Sequence, residues 1–168
     1  MSKRKPFSDE LFQQQLTIGH KWTTLVAERL NNCGIEAEVT AMDYVDEEAE
    51  MGDYADEQDV TLKTGHCVEV KSRNLEFGAD PKSFPYTTAF VDTVGGWAKK
   101  INTPIAVVFA SQITGEMLVV MTDTFDQWGS VKKFDRVRGY SDNFHTVQRR
   151  LLLPFDEGVE RIKGIIDG

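Results

Sequence analysis

The sequence predicts an α/β fold in which a central mixed β-sheet is flanked by helices. Three observations lead to this fold class. An amphipathic helix opens the chain, three strand-like segments follow it, and a helical segment then precedes a fourth strand. A helix that joins two strands gives a crossover, and a crossover places the two strands parallel in one sheet. The other strands follow one another through short turns, which makes them antiparallel neighbours.

The first predicted element is a helix that begins near Ser8, where a capping serine is followed by the acids Asp9 and Glu10. Apolar side chains then recur at helical spacing as far as Cys33, and Gly34 follows as a stop signal. The next segment, IEAEVTAMDYV, alternates apolar and polar residues, which is typical of a strand with one buried face. The chain therefore begins with a helix and a strand.

The stretch DVTLKTGHCVEVKSR, residues 59–73, is predicted to form a hairpin that turns at Thr64 and Gly65. Its second half places valines on one face of a strand and Glu69 and Lys71 on the other. The crossover makes this strand an interior one, and an interior strand of such a sheet should be apolar on both faces. An acid and a lysine at this position therefore indicate function.

The second half of the core is predicted from three further segments. The stretch RNLEFGADPKSFPY, residues 73–86, is too rich in Gly and Pro for regular structure. A second helix is predicted to start near Thr87 or Thr88 and to carry Phe90, Val91, Val94 and Trp97, with Gly95 and Gly96 weakening it. The apolar run IAVVFA after Pro104 predicts a buried strand, and MLVVM its hairpin partner across Thr114 and Gly115.

Residues 156–166 are predicted to form a last helix. The 168 residues suit one domain, with a core over about residues 8–122 and C-terminal additions over 123–168. Cys33 and Cys67 lack the spacing of a metal site and are expected to be free thiols.

The charge distribution divides the chain into an acidic run and a basic segment. The net charge is −8, but nine of the 27 acids lie between Met42 and Asp59, a run that holds no Lys or Arg. Residues 131–150 hold six bases and two acids. A solvated loop or face is the plain interpretation of each, and a basic segment also suits phosphate binding.

The chain is expected to be an intracellular, cytoplasmic protein that does not enter a membrane. No stretch approaches the roughly 20 apolar residues that span a bilayer, and the basic start MSKRKPFSDE is not followed by the apolar core of a signal peptide. The small size of the chain suits a phage or bacterial origin.

These residues carry a resemblance to the PD-(D/E)XK nuclease superfamily, which includes Holliday junction resolvases and restriction endonuclease-like enzymes. Asp59, Glu69 and Lys71 match the motif as D-x9-E-V-K, with Gln58 in place of the usual proline, and the element order matches from about residue 8 to 110. The resemblance implies a restriction endonuclease-like αβββαβ core and a DNA endonuclease. Members of the superfamily commonly work as homodimers, which is the expectation here.

The resemblance assigns catalysis to Asp59, Glu69 and Lys71. Asp59 and Glu69, with the carbonyl of Val70, would bind Mg²⁺, for which Mn²⁺ would substitute. Lys71 would orient or deprotonate the attacking water. A two-residue turn would place Asp59 on the wrong face, so we predict a three-residue loop with a bulge near Gly65. That loop would pair Lys63 with Cys67 and place Asp59 across from Lys71 and diagonal to Glu69.

The first helix often supplies another acid in this superfamily, but Thr23 stands at the matching position. His20 and Gln15 are candidates for that role, and a surface histidine and a buried amide are the plainer interpretations. Other candidate substrate contacts are cations near the hairpin or in the basic segment. They are Arg73, Lys82, Lys132, Lys133, Arg136 and Arg138.

Two other function classes stay open on the sequence alone. A non-catalytic relative would use the same fold to bind nucleic acid or protein, and its role would survive loss of Glu69. An acidic DNA mimic would occupy a DNA-binding protein, but it would need carboxylates spread along a surface, and a third of the acids fall in one run. The choice between DNA and RNA, and between endonuclease and exonuclease, also stays open.

Overall fold

The structure is a computed structural model that describes residues 9–40, 59–136 and 139–168. The predicted acidic loop and Arg138 lie outside these ranges. The elements, in chain order, are α1 (Asp9–Asn32), β1 (Ala37–Val39), β2 (Asp59–Leu62), β3 (Cys67–Arg73), β4 (Thr88–Thr93), α2 (Val94–Ala98), β5 (Ala106–Ser111), β6 (Met117–Met121), β7 (Gly129–Asp135), β8 (Tyr140–Gln148), β9 (Leu153–Pro154) and α3 (Phe155–Asp167). Among these residues, no helix is long and apolar enough to span a membrane.

Helix α1 forms as its apolar spacing predicts, and it packs Trp22, Val26 and Leu30 into the core. Gly34 ends it with a backbone φ of 90°, a conformation that glycine adopts without strain. The side chain of Asn31 then exchanges two hydrogen bonds with the backbone of Ala37, at 2.8 and 3.0 Å, and so attaches β1 to the helix end.

Six strands make one mixed sheet in the order β1-β2-β3-β5-β6-β9. Strand β3 is parallel to β5, as the predicted crossover requires, and every other neighbour in this sheet is antiparallel. The hairpin of β5 and β6 turns at Thr114 and Gly115 as predicted, with Gly115 at a φ of 78°. The mixed α/β fold class is therefore confirmed, and β3 is an interior strand.

The prediction of a helix that starts near Thr87 or Thr88 is wrong. Residues 88–93 form β4, and the helical part is only the short α2, capped by the Thr93 hydroxyl, which accepts a hydrogen bond from the Gly96 amide at 2.9 Å. The β-branched and aromatic side chains of this segment favour a strand, and its two glycines weaken a helix. A strand also needs a partner, and β8 supplies it.

Strands β4, β8 and β7 form a second, antiparallel sheet, which the prediction of one sheet flanked by helices did not include. Helices α1 and α3 cover one face of the six-stranded sheet, where Val68 and Val108 lie. The other face, with Val107 and Phe109, packs against the three-stranded sheet. Side chains of β3 that point away from α1 therefore lie between the two sheets.

Candidate functional site

The hairpin of β2 and β3 has the predicted three-residue loop, but its register differs from the prediction by one residue in each strand. The Leu62 amide donates to the His66 carbonyl at 2.8 Å, which leaves residues 63–65 as the loop, and Gly65 has a φ of 90°. Asp59 consequently stands opposite Glu69, not opposite Lys71. Because each strand shifts by one residue, the pairing changes by two positions in total, and side chains alternate between faces with a period of two. Asp59 therefore still shares a face with Glu69 and Lys71.

Glu69 lies at the centre of the molecule. Strand β3 is enclosed by β2 and β5, and the Glu69 residue is only 1 % exposed. The ammonium of Lys71 lies 3.3 Å from Glu69 Oε1. Burying a carboxylate costs free energy that is recovered only through close cations or hydrogen bonds. The predicted acid and lysine therefore form a buried ion pair between the two sheets.

Two residues that the sequence analysis did not assign to the site, Asp92 and Lys100, complete this group. Lys100 Nζ lies 2.9 Å from Glu69 Oε1 and 3.8 Å from Asp92 Oδ2, and both carboxylates are buried. Asp92 stands on β4, where its Oδ1 accepts a hydrogen bond from the Thr93 amide at 2.7 Å. Had residues 88–93 been interpreted as a strand, an acid inside it would have marked Asp92 in the same way as Glu69.

The electrostatics of the group hold Lys100 in its charged form. Burial lowers the pKa of Lys100, but Glu69 and, more weakly, Asp59 and Asp92 raise it, so that the pKa lies above its usual value. Cys67 faces the same group and donates a hydrogen bond to the Asn102 carbonyl at 3.3 Å. Burial, with the negative charge of Asp59, raises the pKa of the Cys67 thiol to about 11, although the positive charge of Lys100 lowers it.

Two carboxylate oxygens of the group, Glu69 Oε2 and Asp92 Oδ2, are buried and accept no hydrogen bond from the residues that the structure describes. Buried carboxylate oxygens normally have such a donor, and oxygen is the ligand that Mg²⁺ and Mn²⁺ prefer. The donor set thus fits a hard divalent cation. In the described ranges, no three His, Cys, Asp or Glu side chains already stand close enough to hold a metal ion.

A cleft of about 560 Å³ opens beside Lys71, between the carboxyl end of β3 and the hairpin of β7 and β8. Its cations are Lys71, Arg73, Lys133 and Arg136, and its aromatic residues are Phe90, Phe134 and Phe144. Asp92 also lines it and connects the cleft to the buried carboxylates.

The walls of the cleft are held by a few specific contacts. Arg73 donates a hydrogen bond to the Phe90 carbonyl at 3.1 Å, which joins the two sheets. Burial lowers the pKa of the Arg73 guanidinium from its usual value, but arginine remains charged in proteins. Lys133 Nζ lies 4.8 Å from the centre of the Phe90 ring, and that ring lies 5.4 Å from Phe144. The cleft therefore presents cations and aromatic rings together.

Comparison of the chain with protein-family models, with curated proteins and with solved structures finds no match.

The other predicted contacts divide into those that the fold brings to the cleft and those that it does not. Arg73, Lys133 and Arg136 line it. Lys82, in a 3₁₀ turn (Pro81–Ser83), and Lys132, on β7, are exposed, and neither lines the cleft. Val70 follows Glu69 on β3 and packs against the core on the α1 side. Arg138 lies outside the described residues.

Among the side chains that the structure describes in helix α1, no acid reaches the site. His20 is exposed on α1. Thr23 is buried, and its hydroxyl donates a hydrogen bond to the Gly19 carbonyl at 2.8 Å, which satisfies the side chain within the helix. The side chain of Gln15, like Asp53, Asp56 and Glu57 of the acidic run, lies outside what the structure describes.

A cluster of four rings borders the site on the side of Asp92. Trp97, Phe125, Trp128 and His145 lie with ring centres 5.1 to 6.4 Å apart. His145 stands opposite Asp92 in the pairing of β4 with β8. Burial lowers the pKa of His145, and the charge of Asp92 partly opposes this. The cluster therefore places aromatic surface beside Asp92 and Lys100.

Proposed function

We propose that the chain is a divalent-metal-dependent DNA nuclease of the PD-(D/E)XK type, an endonuclease that hydrolyses phosphodiester bonds. The observation that carries the proposal is the placement of Asp59 and Glu69. They stand opposite each other on neighbouring strands, with Lys71 on the same face and beside a cleft lined by cations. The order α1, β1, β2, β3 and then a crossover to the parallel β5 also supports the proposal, but the crossover contains strand β4 and only the short helix α2.

Asp59, Glu69 and the carbonyl of Val70 are the groups that would hold Mg²⁺ or Mn²⁺ in this proposal. A bound divalent cation offsets the negative charge that hinders attack on a phosphodiester and stabilises the departing alkoxide. The buried, unsatisfied Glu69 Oε2 supports this assignment, because a carboxylate oxygen without a hydrogen-bond donor is suited to a metal ligand.

Lys71 has the position of a residue that handles the attacking water. Its side chain is 14 % exposed; the ammonium contacts the buried Glu69, and the residue also lines the cleft where a phosphate would lie. From there it would donate a hydrogen bond to the water or to a phosphate oxygen, and would stabilise the negative charge that develops during attack.

The cleft supplies the substrate contacts. Arg73, Lys133 and Arg136 would neutralise phosphates, while Phe134, which is 56 % exposed, and Phe144 would offer rings on which bases stack. A cleft that combines cations with aromatic rings favours nucleic acid over a small anionic ligand, because phosphate binding alone does not require the rings.

A non-catalytic nucleic-acid-binding module is the second candidate, and Lys100 is the observation that favours it. The ammonium at 2.9 Å already compensates Glu69 without a metal ion. Such a protein would bind DNA through the same cleft and would cleave nothing. Binding and cleavage must therefore be measured separately.

The test is a cleavage assay on supercoiled plasmid, linear duplex, single-stranded and branched DNA, with Mg²⁺, Mn²⁺ or EDTA. We expect cleavage with either metal and none in EDTA. Asp59→Asn and Lys71→Met should each lower the rate at least 100-fold. Lys63→Met, at the exposed hairpin tip, is the matched control and should leave the rate unchanged.

Circular dichroism would confirm that each variant is folded at the assay temperature. Cleavage that survives both site variants, or that persists in EDTA, would reject the proposed nuclease. DNA binding without cleavage under all of these conditions would establish the non-catalytic alternative. An acidic DNA mimic would instead bind a DNA-binding protein and leave DNA itself unbound.

A further inference from the structure

Lys100 occupies an unusual place for a lysine. Its side chain is only 9 % exposed, and its ammonium lies between Glu69 on β3 and Asp92 on β4. The preceding residue, Lys99, is exposed. Lysine side chains are strongly hydrated and seldom buried. The carboxylates therefore draw this ammonium into the space between the two sheets.

The contacts of Lys100 are those that a bound cation would make. One positive centre touches carboxylates from both sheets, at 2.9 Å from Glu69 Oε1 and 3.8 Å from Asp92 Oδ2. Glu69 Oε2 and Asp92 Oδ2 are buried and accept no hydrogen bond within the described ranges. The ammonium has three N–H donors, yet these two oxygens still lack a hydrogen bond within those ranges.

We propose that Glu69 and Asp92 form a divalent-cation site whose position the Lys100 ammonium fills when metal is absent. The inference deepens the proposed function, on which it rests for the identity of the ligand, and it adds Asp92 to the metal ligands. Loading then requires the ammonium to withdraw, so Lys100 sets the metal concentration at which the site fills.

The distances explain why the carboxylates do not already form a metal cage. A lysine nitrogen pairs with oxygen at about 2.8 Å, whereas Mg²⁺ needs oxygens at about 2.1 Å. Glu69 Oε1 is 2.9 Å and Asp92 Oδ2 is 3.8 Å from the ammonium nitrogen, so a metal ion in its place would need both oxygens to move inward, Asp92 Oδ2 further than Glu69 Oε1. The unbranched stem of Lys100 allows that exit without a change in the backbone, because four side-chain torsions can turn it away.

The first test measures Mn²⁺ affinity, by the electron paramagnetic resonance signal of free Mn²⁺, for the wild type, Lys100→Met and Lys99→Met. Methionine keeps the length of the stem and removes the competing charge. We expect Lys100→Met to bind Mn²⁺ at least tenfold more tightly and Lys99→Met to stay within twofold of the wild type. An affinity for Lys100→Met equal to or weaker than that of the wild type would overturn the inference.

A second test uses the wild type alone, so it does not depend on the folding of a variant. Lysines are acetylated briefly with a water-soluble reagent in EDTA or in Mn²⁺, and each site is quantified by mass spectrometry. Lys100 should be protected in EDTA and react at least threefold faster with Mn²⁺, while the reactivity of Lys99 stays constant. Equal protection of Lys100 in EDTA and in saturating Mn²⁺ would refute displacement.

A third variant tests Asp92. Asp92→Asn should weaken Mn²⁺ binding at least tenfold, and an unchanged affinity would overturn its assignment as a ligand. The cleavage assay keeps the two proposals separate. Tighter Mn²⁺ binding by Lys100→Met without DNA cleavage by any form would reject the nuclease and keep the cation site. Metal-dependent cleavage with no effect of Lys100→Met on Mn²⁺ affinity would keep the nuclease and reject the competition between Lys100 and the metal ion.

Discussion

Glu69 Oε1 lies 2.9 Å from Lys100 Nζ, and this pair joins the centre of the six-stranded sheet to the chain that follows α2. Both side chains are at least nine-tenths buried. Removing one partner of a buried pair leaves the other charge uncompensated, which costs more than the pair itself contributes. The pair is therefore a structural element as well as the candidate site.

Glu69→Gln should lower the free energy of unfolding in EDTA by about 3 kcal/mol, because it removes the carboxylate charge that the ammonium groups of both Lys71 and Lys100 contact. The same change in a Lys100→Met background should cost at least about 1 kcal/mol less, because the two side chains interact. Urea denaturation of the four proteins measures both values.

The matched control is Glu36→Gln, which removes the exposed partner of Lys63. Such surface pairs contribute little, so the change should stay below about 0.5 kcal/mol. Additive effects of Glu69→Gln and Lys100→Met would mean that the two side chains do not interact energetically.

The Cys67 thiol predicts a loss of stability at alkaline pH. Its pKa is raised from 9.0 to about 11 by burial and by the charge of Asp59, so the folded state retains a proton that the unfolded chain releases earlier. The protonated thiol contributes its full stabilisation of the folded state below pH 9, and this contribution is lost as the pH rises to about 11. The loss amounts to about 2 kcal/mol in EDTA.

Urea denaturation at intervals of pH from 8 to 11 measures this loss. Cys67→Ala is less stable at every pH because it leaves a small cavity, but its decline over this range should be shallower by the same amount. Parallel pH profiles for the two proteins would contradict the assignment.

Two neighbouring lysines on β7 separate a contact in the cleft from general surface charge. Lys133 lines the cleft, and Lys132 does not. Lys133→Met should weaken the binding of a fluorescent oligonucleotide several-fold. It should also reduce the slope of the logarithm of affinity against the logarithm of salt concentration by about one, the value for one phosphate contact. Lys132→Met carries the same charge change and should have less than half of that effect in fluorescence anisotropy. Equal effects would place the nucleic-acid interface elsewhere.

Two glycines of α3 test the packing that supports the sheet. A Cβ on Gly158 would stand 2.7 Å from side-chain carbons of Val119 on β6, so Gly158→Ala should destabilise the fold by about 2 kcal/mol. Gly164, in the same helix, has nothing within 4 Å of its Cβ position, so Gly164→Ala should stabilise by about 0.5 kcal/mol. Thermal denaturation compares them, and effects of the same sign would contradict the packing.

Local patterns predicted the parts of the fold that depend on neighbouring residues. The alternation in CVEVKSR defined β3 and the shared face of Glu69 and Lys71, because a strand has a period of two. The odd loop length fixed the face of the sheet on which Asp59 lies. It did not determine which three residues form the loop, so the partner of Asp59 was predicted incorrectly. The correct face was sufficient to bring Asp59, Glu69 and Lys71 together.

The remaining parts depend on contacts that no local pattern contains. Six of the seven residues of β7 are exposed, so its sequence shows no apolar alternation. Because β7 was not recognised as a strand, its neighbour β8 was not predicted either, and β8 is the strand that pairs with β4. Asp92 and Lys100 reach Glu69 only because the second sheet packs on the first. Interactions between sheets require the tertiary structure, so these two residues of the candidate site were missed.

A crystal structure of the protein soaked in Mn²⁺, with anomalous diffraction recorded at the manganese edge, would locate the metal directly. We expect an anomalous peak within about 2.5 Å of carboxylate oxygens of both Asp59 and Glu69, with the Lys100 ammonium displaced. Peaks only at other positions, with Glu69 still paired to Lys100, would contradict it.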